Sequence, residues 1–545
     1  MRITSNTFVK LNRVGHRLVL LLLVISTLGG LQSVRAETAA DTLVIGMSTS
    51  ILITLDPARA YEGEALVLID QLYDKLVDLE MVDDRIEIVP EVAESWSVSG
   101  DGQVWTFHVR EGMRFPSGRE ITAYDVEFSL RWAVALNSGS SWLLNELGLL
   151  PDTVAERIRA LGERSIEIRL SEPFAPNLVL AILAFPMSSV VDRDVLERRG
   201  LQAGGEDDYL KRQSAGSGPY RLVHWQPNES VVLEANAEYW RGAPPIGRIV
   251  VQDIPDEAMQ RVALERGEID IAWNLSPRAR QELKAQDRQD LRIVQIPAHG
   301  VQYLGMNTLE GPLADERVRE AIRWAIDYEA IRNDVMLAEA LPLQSFIPHG
   351  YLGHNPETPY QQDVEKAKAL LAAAGYAEGF GVQLAIDGAS ATSQEIARIL
   401  QHNLADAGIT VELAPMASGA LFEMYRERRH QMVLARWGVD YPDPDALAKP
   451  FADGSIQQIA WRNGWHDEEA TRLTGAAMVE SEKGSREALY RRLTELVLHK
   501  GPFAILFQPL NAWGVRNDVM GFETAAALGS MHVDLTKVQK RGGNQ

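Results

Sequence analysis

The stretch Trp437-Gly-Val-Asp440-Tyr-Pro-Asp443-Pro-Asp445 sets a large aromatic and three carboxylates side by side. Two readings fit those residue types. In a recognition loop, Trp437 supplies an apolar wall and Asp440 an anionic anchor for a cationic group. In a surface turn, the aspartates are Asx-turn formers and Trp437 caps a core. Crowded acids also invite a glycosidase reading, with two carboxyls working across ~5–10 Å, but a loop sequence does not set that distance.

Other catalytic sets are missing. The chain carries no GxSxG, HExxH, SxxK, Walker A or dinucleotide GxGxxG pattern. It has no cysteine, hence no thiol nucleophile and no disulfide. The 11 histidines are scattered, and His349 with His354 is the nearest pair, a thin basis for a metal site. Gly216-Ser-Gly218 lacks the helix and the GK[ST] ending of a phosphate loop and reads as a turn. No cofactor is expected, and a binding role outweighs a hydrolytic one.

The acidic stretch must be positioned by what precedes it. Met432-Val-Leu-Ala435 is an apolar run short enough to be one buried strand, and Gly438, Pro442 and Pro444 keep the following chain irregular. Upstream, Leu43–Met47 reads as a first buried strand, followed by the polar Tyr61-Glu62-Gly63-Glu64 and a helical face of Leu66, Ile69 and Leu72. Trp105, Phe107 and Val109 alternate as a half-buried strand, and a helix is expected after Thr122. Ser230–Glu234 and Ile249–Asp253 read as strands, with a helix ending at Gly267. From Val301 on, longer helices appear: one capped by Asp315, others closed by Gly375 and Gly408, with strands at Val382–Ile386 and Thr410–Leu413. The apolar Phe503–Val515 is too short to be a domain and is expected to add strands to one already built.

At 545 residues the chain exceeds one core. Arg2, Lys10, Arg13 and Arg17 precede the apolar run Leu18–Leu28, and Val34-Arg35-Ala36 fits signal-peptidase cleavage before Glu37. Eleven residues are short of the ~20 a membrane helix needs. With no cysteine, lipid anchoring at that cleavage site is excluded. The expected address is a bacterial periplasm, with secretion into the medium as the alternative. Losing five basic residues from a net charge of −21 leaves −26, which argues against nucleic acid and anionic membranes as partners.

Five stretches, in order, resemble signatures of the large solute-binding proteins of bacterial ATP-binding-cassette importers, in the dipeptide/oligopeptide/nickel-binding family. They are Trp105-Thr-Phe-His-Val-Arg-Glu-Gly-Met-Arg-Phe115 with Thr122-Ala-Tyr-Asp-Val126; Gly216-Ser-Gly-Pro-Tyr220 with Ala237-Glu-Tyr-Trp240; Gly267-Glu-Ile-Asp270; Met306-Asn307 with Asp315-Glu-Arg-Val-Arg319 and Ala325-Ile-Asp327; and Trp437-Gly-Val-Asp440-Tyr441. The resemblance implies an α/β, two-lobed periplasmic-binding-protein fold (type II, large cluster) with an extra domain inserted in the first lobe. After a signal peptide at 1–36, residues 37–80, 210–300 and 509–545 would build lobe I, with 81–209 inserted, and 301–508 would build lobe II. The crossovers near Ala298–Gly300 and Gln508–Asn511 then fall at a hinge.

The resemblance also implies the site. Asp440 would pair with a peptide's α-amino group, Trp437 and Gly438 would line the same wall, and Glu62, Gly63 and Tyr303 would face the cleft. Oligopeptide binders of this kind carry an arginine three residues before the tryptophan; here that position is Leu434. Arg436, one residue before Trp437, is expected on the other strand face. A small solute, most simply a short peptide, is the implied ligand, and a sugar, an opine-like compound or a metal chelate the alternative. Permease and ATPase subunits are the implied partners.

Overall fold

The computed structural model describes residues 38–50, 52–82, 85–201, 209–286, 288–529 and 532–541. The expected signal segment lies outside them. The strand Thr42–Met47 is apolar on both faces because parallel neighbours flank it, Arg248–Asp253 on one side and Ile271–Ala272 on the other. Arg248–Asp253 continues antiparallel to Ser230–Ala235, which pairs with Tyr220–Gln226. These strands make the sheet of the first lobe.

The second lobe repeats the logic. Met432–Gly438 lies between Gly300–Met306, antiparallel, and Phe380–Asp387, parallel, with Ile409–Met416 beyond. Its apolar run alternates faces as a pleated strand must. Met432 and Leu434 join Leu304, Ile322 and Leu384 in one core, while Val433 and Ala435 join Val301, Tyr303 and Phe451 in another. Both faces are covered, which is why the run carries no polar alternation. The helix Glu316–Ala325 starts at Asp315, whose carboxylate accepts from the Arg317 N–H. Gly375 and Gly408 take the left-handed φ (92° and 96°) that ends their helices.

One long strand, Phe503–Arg516, belongs to both lobes. Its first half pairs with Gly300–Met306 and its second with Leu291–Pro297 and Ile271–Ala272. The expected boundary at 508/509 thus falls inside a single strand. Gln508, fully buried, ties the two crossovers together: its Nε2 donates to the Ala298 carbonyl (2.9 Å) and its Oε1 accepts from the His349 N–H (2.9 Å).

The segment between the first helix and residue 209 carries its own four-stranded sheet (Ala93–Val98, Val104–Val109, Ser165–Arg169, Ile158–Ala160) and the helix Ala123–Leu136. Asp125 caps that helix, accepting from the N–H and hydroxyl of Thr122. Its core is continuous with that of the first lobe: Trp105, Phe107 and Leu130 belong to one cluster with Leu43, Ile45 and Trp513. The hairpin Val77–Val82/Arg85–Pro90 straddles the expected boundary at residue 80.

Candidate functional site

The two crossovers and the acidic stretch meet. A cavity of about 310 Å³ opens between the lobes, walled by Tyr61, Gly63, Leu66 and Phe185 on one side, by Arg436–Asp440 on the other, and floored by Ala298, His299 and Asn511. Each wall follows from a local rule. The helix Gly63–Leu72 buries Ala65–Ile69 in the first lobe and leaves its N-terminal turn at the cavity rim. The strand Met432–Gly438 ends at Gly438, so the chain turns there, and the Val439 N–H bonds the His299 carbonyl (2.8 Å) to hold the turn to the crossover.

Asp440 is the polar centre. Its Oδ1 accepts a short hydrogen bond from the Tyr61 hydroxyl, which reaches across from the opposite lobe. Asp440 is half-buried, and the cavity walls strip it of bulk water. That loss, only partly offset by the Tyr61 bond, pushes its carboxyl up to about 6. Burial, with Asp440 beside it, drives the Tyr61 phenol up as well. His299 is pushed down to about 4 by burial and is neutral at pH 7. It receives or gives a 3.0 Å bond with the Tyr351 hydroxyl. Trp437 lies half-buried along the cavity, fixed by its Nε1 donating to the Ala446 carbonyl (3.2 Å).

The other two aspartates are not cleft anchors. Asp443 is buried in a bidentate pair with Arg486 (2.7 and 2.8 Å), and Asp445 accepts from the Tyr441 hydroxyl (2.8 Å). Asp443 also borders a larger cavity of about 840 Å³ beyond the prolines, between Arg85–Ile88 and Gly350–His354. Four of the charges on that wall are paired, Asp443 with Arg486 and Arg491 with Glu487. The smaller cavity, whose carboxylate has a hydrogen bond but no cation, is the better candidate site.

Of the residues expected to bind, Asp440, Trp437, Gly438 and Gly63 come together. Glu62 sits at the N-cap of the rim helix, its carboxylate accepting from the Tyr61 N–H (3.3 Å), but does not wall the cavity. Tyr303 is placed in the second-lobe core, 1% exposed, ringed by Phe451 and Phe503 and bonded to the Tyr425 hydroxyl. The cavity is lined by Ala298 and His299, just before the strand of Tyr303 begins, and by no residue of that strand itself. Arg436 keeps the strand's alternation, on the face opposite Trp437, which packs with Val433 and Ala435, yet both border the same cavity at the strand's end. Tyr61, His299, Asn511 and Phe185 were missed. Tyr61 adjoins the expected Glu62-Gly63, and His299 and Asn511 lie on the expected crossovers, so position along the chain was the available signal.

Gly300 tests the architecture. A Cβ there would lie 2.3 Å from the Trp437 carbonyl and 2.9 Å from the Gly438 Cα. Gly300→Ala must therefore push the Trp437–Asp440 wall outward. We expect a loss of about 1–3 kcal/mol in urea unfolding, together with weakened ligand binding.

Two α/β lobes joined by a double crossover, with a polar cavity at the joint, define a solute-binding protein of the two-lobed kind. The chain belongs to the bacterial extracellular solute-binding proteins, family 5, whose middle-region family model matches residues 87–458. It is similar to the dipeptide-binding protein of Escherichia coli (strain K12), 27% identical over 486 residues that cover 86% of this chain and 89% of that protein. It is also similar to di/tripeptide-binding protein 2 of Pseudomonas aeruginosa (strain UCBPP-PA14), 28% identical over 487 residues, 86% and 90% of the two chains. Among solved structures, the periplasmic binding protein DppA from Helicobacter pylori in complex with the peptide STSA matches with a TM-score of 0.75 at 26% identity, covering 92% of this chain and 98% of that one.

Among the described residues no helix is long and apolar enough to cross a membrane, and no group of three or more histidines and carboxylates is placed to hold a metal ion.

Proposed function

We propose that this chain captures a short peptide by its α-ammonium in the periplasm and delivers it to the permease and ATPase subunits of an ATP-binding-cassette importer. The chain performs no turnover in this reading. The observation that carries it is Asp440: a half-buried carboxylate in the interlobe cavity, with one neutral partner and no cation. An ammonium there completes a charge-assisted hydrogen bond that only the closed form can make. The names of the similar proteins, dipeptide-binding and di/tripeptide-binding, support the same ligand class.

Contacts across the cleft support closure around the ligand. Tyr61 meets Asp440, Lys449 pairs with Glu146, and the Ala175 N–H donates to the Met478 carbonyl (2.8 Å). Such contacts, with a ligand touching both walls, bias a two-lobe equilibrium towards the closed state.

Calorimetric titration of di-alanine at several pH values tests the reading. Free Asp440 titrates near 6 and must be ionised to hold an ammonium. Affinity is therefore full above that value and falls as pH drops through it, about tenfold between pH 7 and pH 5. His299, held near 4, stays neutral across that window. Flat affinity from pH 7 to 5, or equal binding of N-acetyl-di-alanine, overturns the ammonium anchor. Product released from the peptide would instead mark a hydrolase.

A further inference from the structure

We propose that Arg436 is the receptor for a ligand carboxylate, so that the site selects a dipeptide-sized zwitterion held between Asp440 and Arg436. This rests on the reading of Asp440 given above and adds the second end of the ligand.

Arg436 is the penultimate residue but one of its strand, opposite Gln302, and its side chain is exposed to the cavity that Asp440 also faces. Gln302 does not serve it: its Nε2 donates to the Ala435 carbonyl (2.9 Å). Among the described residues Arg436 has no ion pair, hydrogen bond or ring contact. Buried arginines elsewhere in the chain are all provided for. Arg486 has Asp443, Arg280 has Glu339, and Arg323 donates to the carbonyls of His499, Gly501 and Phe503. Arg486 borders the larger cavity already paired, whereas Arg436 borders the smaller one without a partner.

A solvent-reached guanidinium that bonds no protein group can receive an anion without breaking an internal pair. Burial lowers the proton affinity of Arg436, and no neighbouring carboxylate restores it. Asp440 is not that partner, since no ion pair joins the two and its hydrogen bond comes from Tyr61. The cavity thus presents one negative and one positive group, each lacking its complement. Guanidinium geometry matches a carboxylate through two parallel N–H donors.

Size sets the length. About 310 Å³ lies at the low end of the roughly 300–1,000 Å³ of small-molecule sites. Each added residue lengthens an extended peptide by ~3.3–3.6 Å. A single cavity gripping both termini therefore favours the shortest members of the series.

The test is calorimetry with wild type and Arg436→Gln, using di-alanine, its C-terminal amide, its N-acetyl derivative and tetra-alanine. Di-alanine should bind Arg436→Gln about 30-fold or more weakly than wild type. The amide should bind wild type with a similar loss and be indifferent to the substitution, because both changes delete one pair. Tetra-alanine should bind wild type less tightly than di-alanine. Melting of the empty protein should not fall, which separates a ligand contact from a structural role. Amide binding as tight as free acid, an acid affinity within twofold in Arg436→Gln, or preference for tetra-alanine overturns the assignment and leaves Asp440 untouched. Equal binding of the N-acetyl derivative overturns Asp440 instead, and no binding of any of the four overturns both.

Discussion

Asp440→Asn should weaken di-alanine binding by a factor of about 30 or more. The amide keeps the shape of the carboxylate and, through its oxygen, still accepts from the Tyr61 hydroxyl. What it loses is the countercharge. Truncating one member of a buried charged pair costs on the order of 2–5 kcal/mol, much of it from stranding the other charge. N-acetylation of the peptide should cost wild type a comparable amount and add little to the variant. The empty protein should melt at the same temperature or slightly higher, because the cavity disfavours the ionised carboxylate, as its rise to about 6 shows. The pH step between 7 and 5 should vanish with the substitution. If binding instead stays within twofold, the loop is structural and the ligand is held elsewhere.

Arg486→Met should destabilise the second lobe by about 3–5 kcal/mol, the cost of leaving a buried partner charge uncompensated. Arg486 is 3% exposed and Asp443 2%, and the guanidinium also donates to the Ala477 carbonyl (2.8 Å) and the Tyr490 hydroxyl (3.1 Å). Removing it strands Asp443 beside Asp445, which burial first and Asp443 second already push up to about 7. The loop between Pro442 and Pro444 loses its tether, so ligand affinity should fall along with stability. Replacing both members, Asp443→Leu with Arg486→Met, should recover much of the stability, since the stranded charge is gone. Urea unfolding followed by the tryptophan signal checks both variants. A loss under 1 kcal/mol in Arg486→Met would mean that Asp443 finds another cation or water when the lobe relaxes.

Much of the local structure follows from residue order. Apolar runs without alternation, such as Met432–Ala435 and Leu43–Met47, are buried on both faces because parallel and mixed sheets are covered on both sides. Asp315, Gly267, Gly375 and Gly408 start or end helices where their side-chain chemistry and left-handed backbone require. The Trp437–Asp440 wall and the two crossovers were legible from the family's signatures. Tertiary structure alone decided the rest, because it concerns which residues far apart in the chain face one another. Tyr61 meets Asp440 across 379 positions. Asp443 and Asp445 read as equals of Asp440, yet one is spent on Arg486 and the other on Tyr441. Arg436 was expected on the far strand face, and Tyr303 in the cleft. The first does stand on that face but still borders the cavity where the strand ends, and pleating sends the second into the core. Local pattern specifies whether a side chain is buried, whereas only the closed packing of two lobes specifies which charges remain without a partner.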